Sequence, residues 1–243
     1  MISSEASTSG KHASTSQILS WWFAQADRFA YRELAVIGGL SILAILSGAS
    51  AKAADESGLN WASGLGDHPA MWVLALALIG WLAPSPGRAA IRAVIYFVVM
   101  CLAYYAWAAF VLNFPVAYDI WFWIGLAATA VPLFAAVLRW TRDQHGILPG
   151  FILATVAALA VIDGVVWQLW WAWVENGAPD GFPLRPFQAV VNIAVALTIA
   201  GVFPRDHRTR VWALLLLIPI AILLSRVLPY VLDSLFEVIG RIV

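Results

Sequence analysis

Lysine and arginine occupy almost only every second gap between the apolar runs of this chain, and that alternation admits one class of fold. The runs lie at residues 34–51, 69–83, 90–112, 119–138, 148–174, 187–203 and 211–232. Most reach the ~20 residues that a helix needs to cross a hydrocarbon core of ~30 Å. Lys11, Arg28 and Arg32 precede the first run; Arg88 and Arg92 follow the second, Arg139 and Arg142 the fourth, and Arg205, Arg208 and Arg210 the sixth. Ten of the fourteen cationic residues thus share one side, which the positive-inside rule makes cytoplasmic. The opposite gaps carry Asp55, Glu56, Asp67, Asp119, Glu175 and Asp180 against Lys52 and Arg185. The expectation is an all-α, polytopic transmembrane helical bundle of about seven spans, N-terminus cytoplasmic and C-terminus outside.

Composition agrees and narrows the function classes. With 62% of residues apolar and 12% charged, a soluble core could not hide the apolar surface, so a lipid bilayer must solvate part of it. Net charge is zero and the cations come in short pairs, which leaves no footprint for nucleic acid. His12, His68, His145 and His207 all fall in tails or loops, so no helix interior offers imidazole to haem, copper or di-iron, and no cofactor is expected. The seventh run has no lysine for a retinal Schiff base. No Walker loop or nucleophile–base pairing is present, so an enzyme is not expected. The one cysteine, Cys101, excludes an internal disulfide and reads as a small buried apolar residue.

Three segments are expected along the chain. Residues 1–15, rich in Ser and Thr, read as a disordered tail. In residues 16–33, Ile18, Leu19, Trp22, Phe23, Ala26, Phe29 and Ala30 recur at helical spacing opposite Gln25, Asp27, Arg28 and Arg32. That pattern suits an amphipathic helix lying in the membrane interface, or one docked on a partner protein. Residues 34–243 form the bundle. Gly38, Gly39, Ser41, Ala44, Ser47 and Gly48 give the first span a small face suited to close helix contact, within the chain or with another subunit. The second run is short, bounded by Pro69, Pro84 and Pro86; a tilted thin helix and an irregular cavity-lining segment are both open.

The ionisable and polar residues inside the runs mark the candidate site. At ~1.5 Å per residue, Asp163 lies roughly 21 Å beyond Pro149, Arg226 roughly 22 Å beyond Val211, and Tyr104 roughly 20 Å beyond Ile91. Asn192 enters from the outer side, roughly 8 Å below Phe187. All four fall in one outer-half layer. A charge at that depth costs about 2.5–3.5 kcal/mol, so it is expected to face inward and find a partner. An Asp163–Arg226 pair is the expectation, with Asn192, Tyr104 and Tyr105 beside it. Trp107 and Trp167, deeper than the aromatic belt that accounts for most of the fourteen Trp, share faces with Tyr104 and Asp163, and Tyr230 shares one with Arg226. These eight residues are the candidate ligand-binding set. A pair that merely fixes helix register, and an Arg226 that snorkels to headgroups, are the structural alternatives.

Ala103-Tyr104-Tyr105, Leu148-Pro149-Gly150 and the Asn60–Trp72 segment resemble those of a group of uncharacterised bacterial multi-pass membrane proteins defined only by a domain of unknown function. The resemblance covers about residues 34–230 and implies a single helical bundle in a bacterial cytoplasmic (inner) membrane; it carries no functional residue over. Two functions stay open. One is binding or transport of a small polar solute in an outer-half pocket. The other is a non-catalytic accessory subunit, docked on a membrane-protein partner through the first helix and residues 16–33.

Overall fold

The computed structural model describes residues 15–59, 62–63, 69–115, 120–174 and 185–242. Its helices are α1 (Thr15–Asp55), α2 (Pro69–Leu82), α3 (Pro86–Phe110), α4 (Ile120–Thr141), α5 (Ile147–Leu159), α6 (Val165–Val174), α7 (Pro186–Gly201) and α8 (His207–Ile242), with no strand among the described residues. The chain divides into two compact units, residues 1–39 and 40–243. The first holds the beginning of α1. Residues 1–14, expected as a tail, lie outside the described residues, as do the side chains of 15–30 that would carry the amphipathic pattern.

Among the described residues, four helical segments are long and apolar enough to cross a membrane: Tyr31–Asp55, Pro86–Phe110, Ile120–Thr141 and His207–Leu228. Pro69–Leu82, Ile147–Leu159 and Pro186–Gly201 are apolar but shorter. The apolar surface is sorted by size. Buried positions of the second unit are largely alanine (Ala77, Ala93, Ala154, Ala157, Ala196, Ala200 and Ala213), whereas Leu46, Trp121, Leu133, Leu215 and Ile218 are more than half exposed. Water would make that outward surface a liability, whereas lipid chains solvate it, and small inward residues let the helices approach closely. The protein is built for a bilayer.

Short α2 is the centre of the second unit. It packs against α3, α4, α5 and α7, and buries Ala70, Val73, Leu76, Ala77, Ile79 and Gly80. A helix walled by protein on so many sides need not be long enough to meet lipid around its whole circumference. Its C-terminal end is closed by arginines from elsewhere in the chain. Arg139 Nε donates to the Ala83 carbonyl at 2.7 Å, its Nη2 to Pro84 at 3.2 Å, and Arg142 Nη1 to Trp81 at 2.5 Å. Guanidinium groups thus take up the carbonyls that a helix end leaves open, and their charge suits the negative end of the helix dipole. Ser85 then caps α3, its hydroxyl accepting from Arg88 N, with Pro86 at the first turn.

Part of the small face of the first span packs within the second unit. Ala44 and Gly48 are buried, Tyr96 donates to Ser47 Oγ at 3.0 Å, and a Cβ on Gly48 would collide with the Met100 carbonyl of α3. α5 and α8 meet as closely, since a Cβ on Gly150 would stand 2.6 Å from Trp212 Cβ.

The expected fifth span, 148–174, is broken. α5 stops at Leu159, residues 160–164 form a turn with Gly164 at φ +82°, and α6 restarts at Val165. An αL backbone is cheapest for glycine, and Asp163 beside it takes the Val165 N–H on Oδ1 at 3.2 Å. Helical periodicity reads through such a turn because the apolar residues continue on both sides.

Candidate functional site

The layer of polar residues expected from depth divides into two constellations that share no residue. The first surrounds the break. Asn192, fully buried on α7, donates from Nδ2 to Asp163 Oδ2 at 2.6 Å, and accepts on Oδ1 from Gln188 Nε2 at 2.6 Å. One turn of α7 thus presents two amides on a single face, and the carboxylate ends the donor chain. Irregular backbone at membrane depth is tolerated where protein surrounds it, and this network ties the α5–α6 turn to α7.

Arg226 takes no part. It is exposed on α8, between exposed Leu223 and Tyr230, and among the described residues no ion pair joins it to Asp163. The expected pair is therefore corrected to Asp163–Asn192. Depth along a helix fixes one coordinate only; the azimuth of Arg226 turns it outward, and the break turns Asp163 toward α7. Trp167 on α6 and Tyr230 on α8 are likewise exposed, at 40% and 73%. Asp163 and Asn192 are the members of the expected layer that meet. Gln188, four residues before Asn192 in a largely apolar helix, escaped the sequence reading although its i, i+4 spacing to Asn192 was a usable signal.

The second constellation is a cavity of about 610 Å³ at the end of the second unit opposite Arg139 and Arg142. The C-terminal ends of α1 and α3, the N-terminal ends of α2 and α4, and the 113–115 turn enclose it. Its walls include Trp72, Tyr104, Tyr105, Phe114 and Trp123, with the Cys101 thiol among them. Tyr104 donates its hydroxyl to Asp55 Oδ2 at 2.6 Å, which fixes its ring, and Tyr105 stands edge-on to it at 5.3 Å. Trp72 and Trp123 form a second edge-to-face pair at 5.5 Å. Lys52 holds its ammonium 5.3 Å from the centroids of both Tyr104 and Phe114, and pairs with Glu56 at 2.6 Å.

Tyr104 and Tyr105, expected beside Asp163, line this cavity instead and take no part in the bonds between Asp163, Asn192 and Gln188. Trp107 is half-buried on α3 and is not part of the pocket wall. Lys52 was missed. The signal for it was positional: a lysine in a gap where the positive-inside rule disfavours cations, within one turn of two carboxylates. Trp72 and Trp123, which the candidate set did not include, also line the cavity. Among the described residues no group of three or more His, Cys, Asp or Glu could hold a metal ion.

Residues 34–233 match the family of unknown function DUF6518. The chain belongs to that family. The match covers every residue of the cavity and of the Asp163 network, so both lie inside the DUF6518 region. No curated protein and no solved structure matches the chain. Family membership therefore brings no ligand, and the chemistry of the DUF6518 site has to come from its own side chains.

Proposed function

We propose that this DUF6518 protein binds or transports a small polar solute, and that the solute occupies the cavity bounded by Tyr104, Tyr105, Lys52, Trp72 and Trp123. One observation carries the reading: a space of about 610 Å³, the size usual for small-molecule sites, with aromatic walls and few polar groups. The seven apolar segments all span in this reading, with the N-terminus in the cytoplasm and the C-terminus outside a bacterial inner membrane. Support for that orientation comes from the arginine asymmetry, which sets Arg88, Arg139, Arg142 and Arg205 opposite the cavity. The cavity then opens outward, in the outer half. The protein acts without a cofactor and catalyses no reaction. An accessory-subunit role is the competing outcome of the test below.

Cys101 makes the test possible without engineering, because the only thiol of the chain lies in the cavity wall. A small membrane-impermeant methanethiosulfonate applied to the outer face of intact cells should modify Cys101, read by mass spectrometry of the purified chain. Modification from the cytoplasmic face alone, or none from either face, would defeat the proposal and favour the accessory role.

A further inference from the structure

Lys52 narrows the chemistry of whatever the cavity holds. Among the described residues that line it, Lys52 alone carries a full charge. Its side chain is 13% exposed, and an ammonium has three N–H donors. One goes to Glu56 Oε1; the structure gives the other two no acceptor among the described residues. The two rings it faces, Tyr104 and Phe114, stabilise the cation without supplying an acceptor. An ammonium with unspent donors at the end of a largely buried side chain favours an acceptor of opposite charge, and charge-assisted hydrogen bonds are the strong kind. Around it the wall is apolar and ring-bearing: Trp72 and Trp123 as one pair, Tyr105 on the Tyr104 side.

Resting on the pocket reading above, we infer that the solute is an organic anion: a carboxylate or similar acceptor seated on Lys52, with a ring-bearing apolar body against Trp72, Trp123 and Tyr105. A cationic solute would meet Lys52 as a like charge at close range. A neutral one could answer the two N–H groups of Lys52 only with the weaker hydrogen bonds of an uncharged acceptor. Glu56 is the internal competitor, an exposed carboxylate paired with Lys52.

The experiment compares three probes of one shape, indole-3-acetate, tryptamine and tryptophan, as protectants of Cys101 against the methanethiosulfonate. The full chain is held in nanodiscs of phosphatidylcholine alone. Indole-3-acetate should slow modification at the lowest concentration. Lys52→Met should weaken that protection by about ten- to a hundredfold, the worth of a hydrogen bond to a charged group. Lys52→Arg should keep most of it, which separates loss of charge from loss of fold. Glu56→Gln should strengthen it by freeing the ammonium. Protection that appears when phosphatidylglycerol is added, with no free acid present and with the same dependence on Lys52, supports the anion and makes lipid its source. Protection by tryptamine in place of the acid, or no protection by any probe or by phosphatidylglycerol, overturns the anion assignment. A Cys101 that never reacts overturns the pocket reading instead.

Discussion

Removing Asn192 should unlock the broken helix, and the size of the effect can be worked from its two bonds. Asn192 is fully buried, donates to the Asp163 carboxylate at 2.6 Å and accepts from Gln188 at 2.6 Å. A hydrogen bond to a charged group is worth about 1.5–3 kcal/mol in proteins generally. Interhelical bonds inside membranes average about 0.6 kcal/mol and reach about 1.7, because the unfolded chain in lipid also finds partners. A short bond from a buried amide to a carboxylate belongs near the upper end, so an Asp163→Ala, Asn192→Ala cycle should give about 1–2 kcal/mol of coupling. Gln188 loses its acceptor in both Asn192→Ala backgrounds, so that loss cancels. The matching cycle with Arg226→Ala should stay within the ~0.5 kcal/mol that independent sites show. Reversible unfolding by sodium dodecyl sulfate in mixed micelles measures both. Coupling of Asp163 to Arg226 that exceeds its coupling to Asn192 would refute the assignment.

Two glycines should fail for different reasons. Gly164→Ala forces a Cβ onto φ +82° with nothing near it to clash, a cost of about 1–2 kcal/mol that Gly164→Asn should largely avoid. Gly150→Ala meets Trp212 Cβ at 2.6 Å and should cost about 1–3 kcal/mol by pushing α5 from α8, with no relief from Asn; the same titration reads all of them. Asp206, just before α8, accepts from the Thr209 N–H at 3.0 Å, and chiefly that bond holds its carboxyl below the ordinary range, against the opposing effect of burial. A depressed folded value means the stabilisation is full above about pH 3.9 and is lost as pH falls through the lower folded value. Asp206→Asn should therefore flatten the acid limb of the stability profile below about pH 4, with the neutral limb keeping its shape.

How much of the chain is legible before folding depends on what each signal measures. Apolar run length and arginine placement report the partition between lipid and water, a one-dimensional property, and they locate α2, α3, α4 and α7 to within a few residues, whereas α8 runs ten residues past the expected end at 232. Depth along a helix is one-dimensional too, so it puts Asp163 and Asn192, which do meet, at one level but says nothing of azimuth, and Arg226, expected at that level, is exposed. The break was legible in principle. Asp163-Gly164 is a turn dipeptide, and an acidic side chain that can cap Val165 offers the backbone a local alternative to helix. A long apolar context outvotes two residues in any periodicity count. The cavity was the least legible part, because it is made where the ends of four helices meet, and Lys52, Trp72, Tyr105 and Trp123 come together only through the α1–α3 and α2–α4 crossings that Gly48 and Gly80 allow. A lysine in a loop and a tryptophan at a membrane boundary each have an ordinary explanation when taken alone. Their convergence on one space, with two lysine donors unspent, gives them a shared chemical meaning.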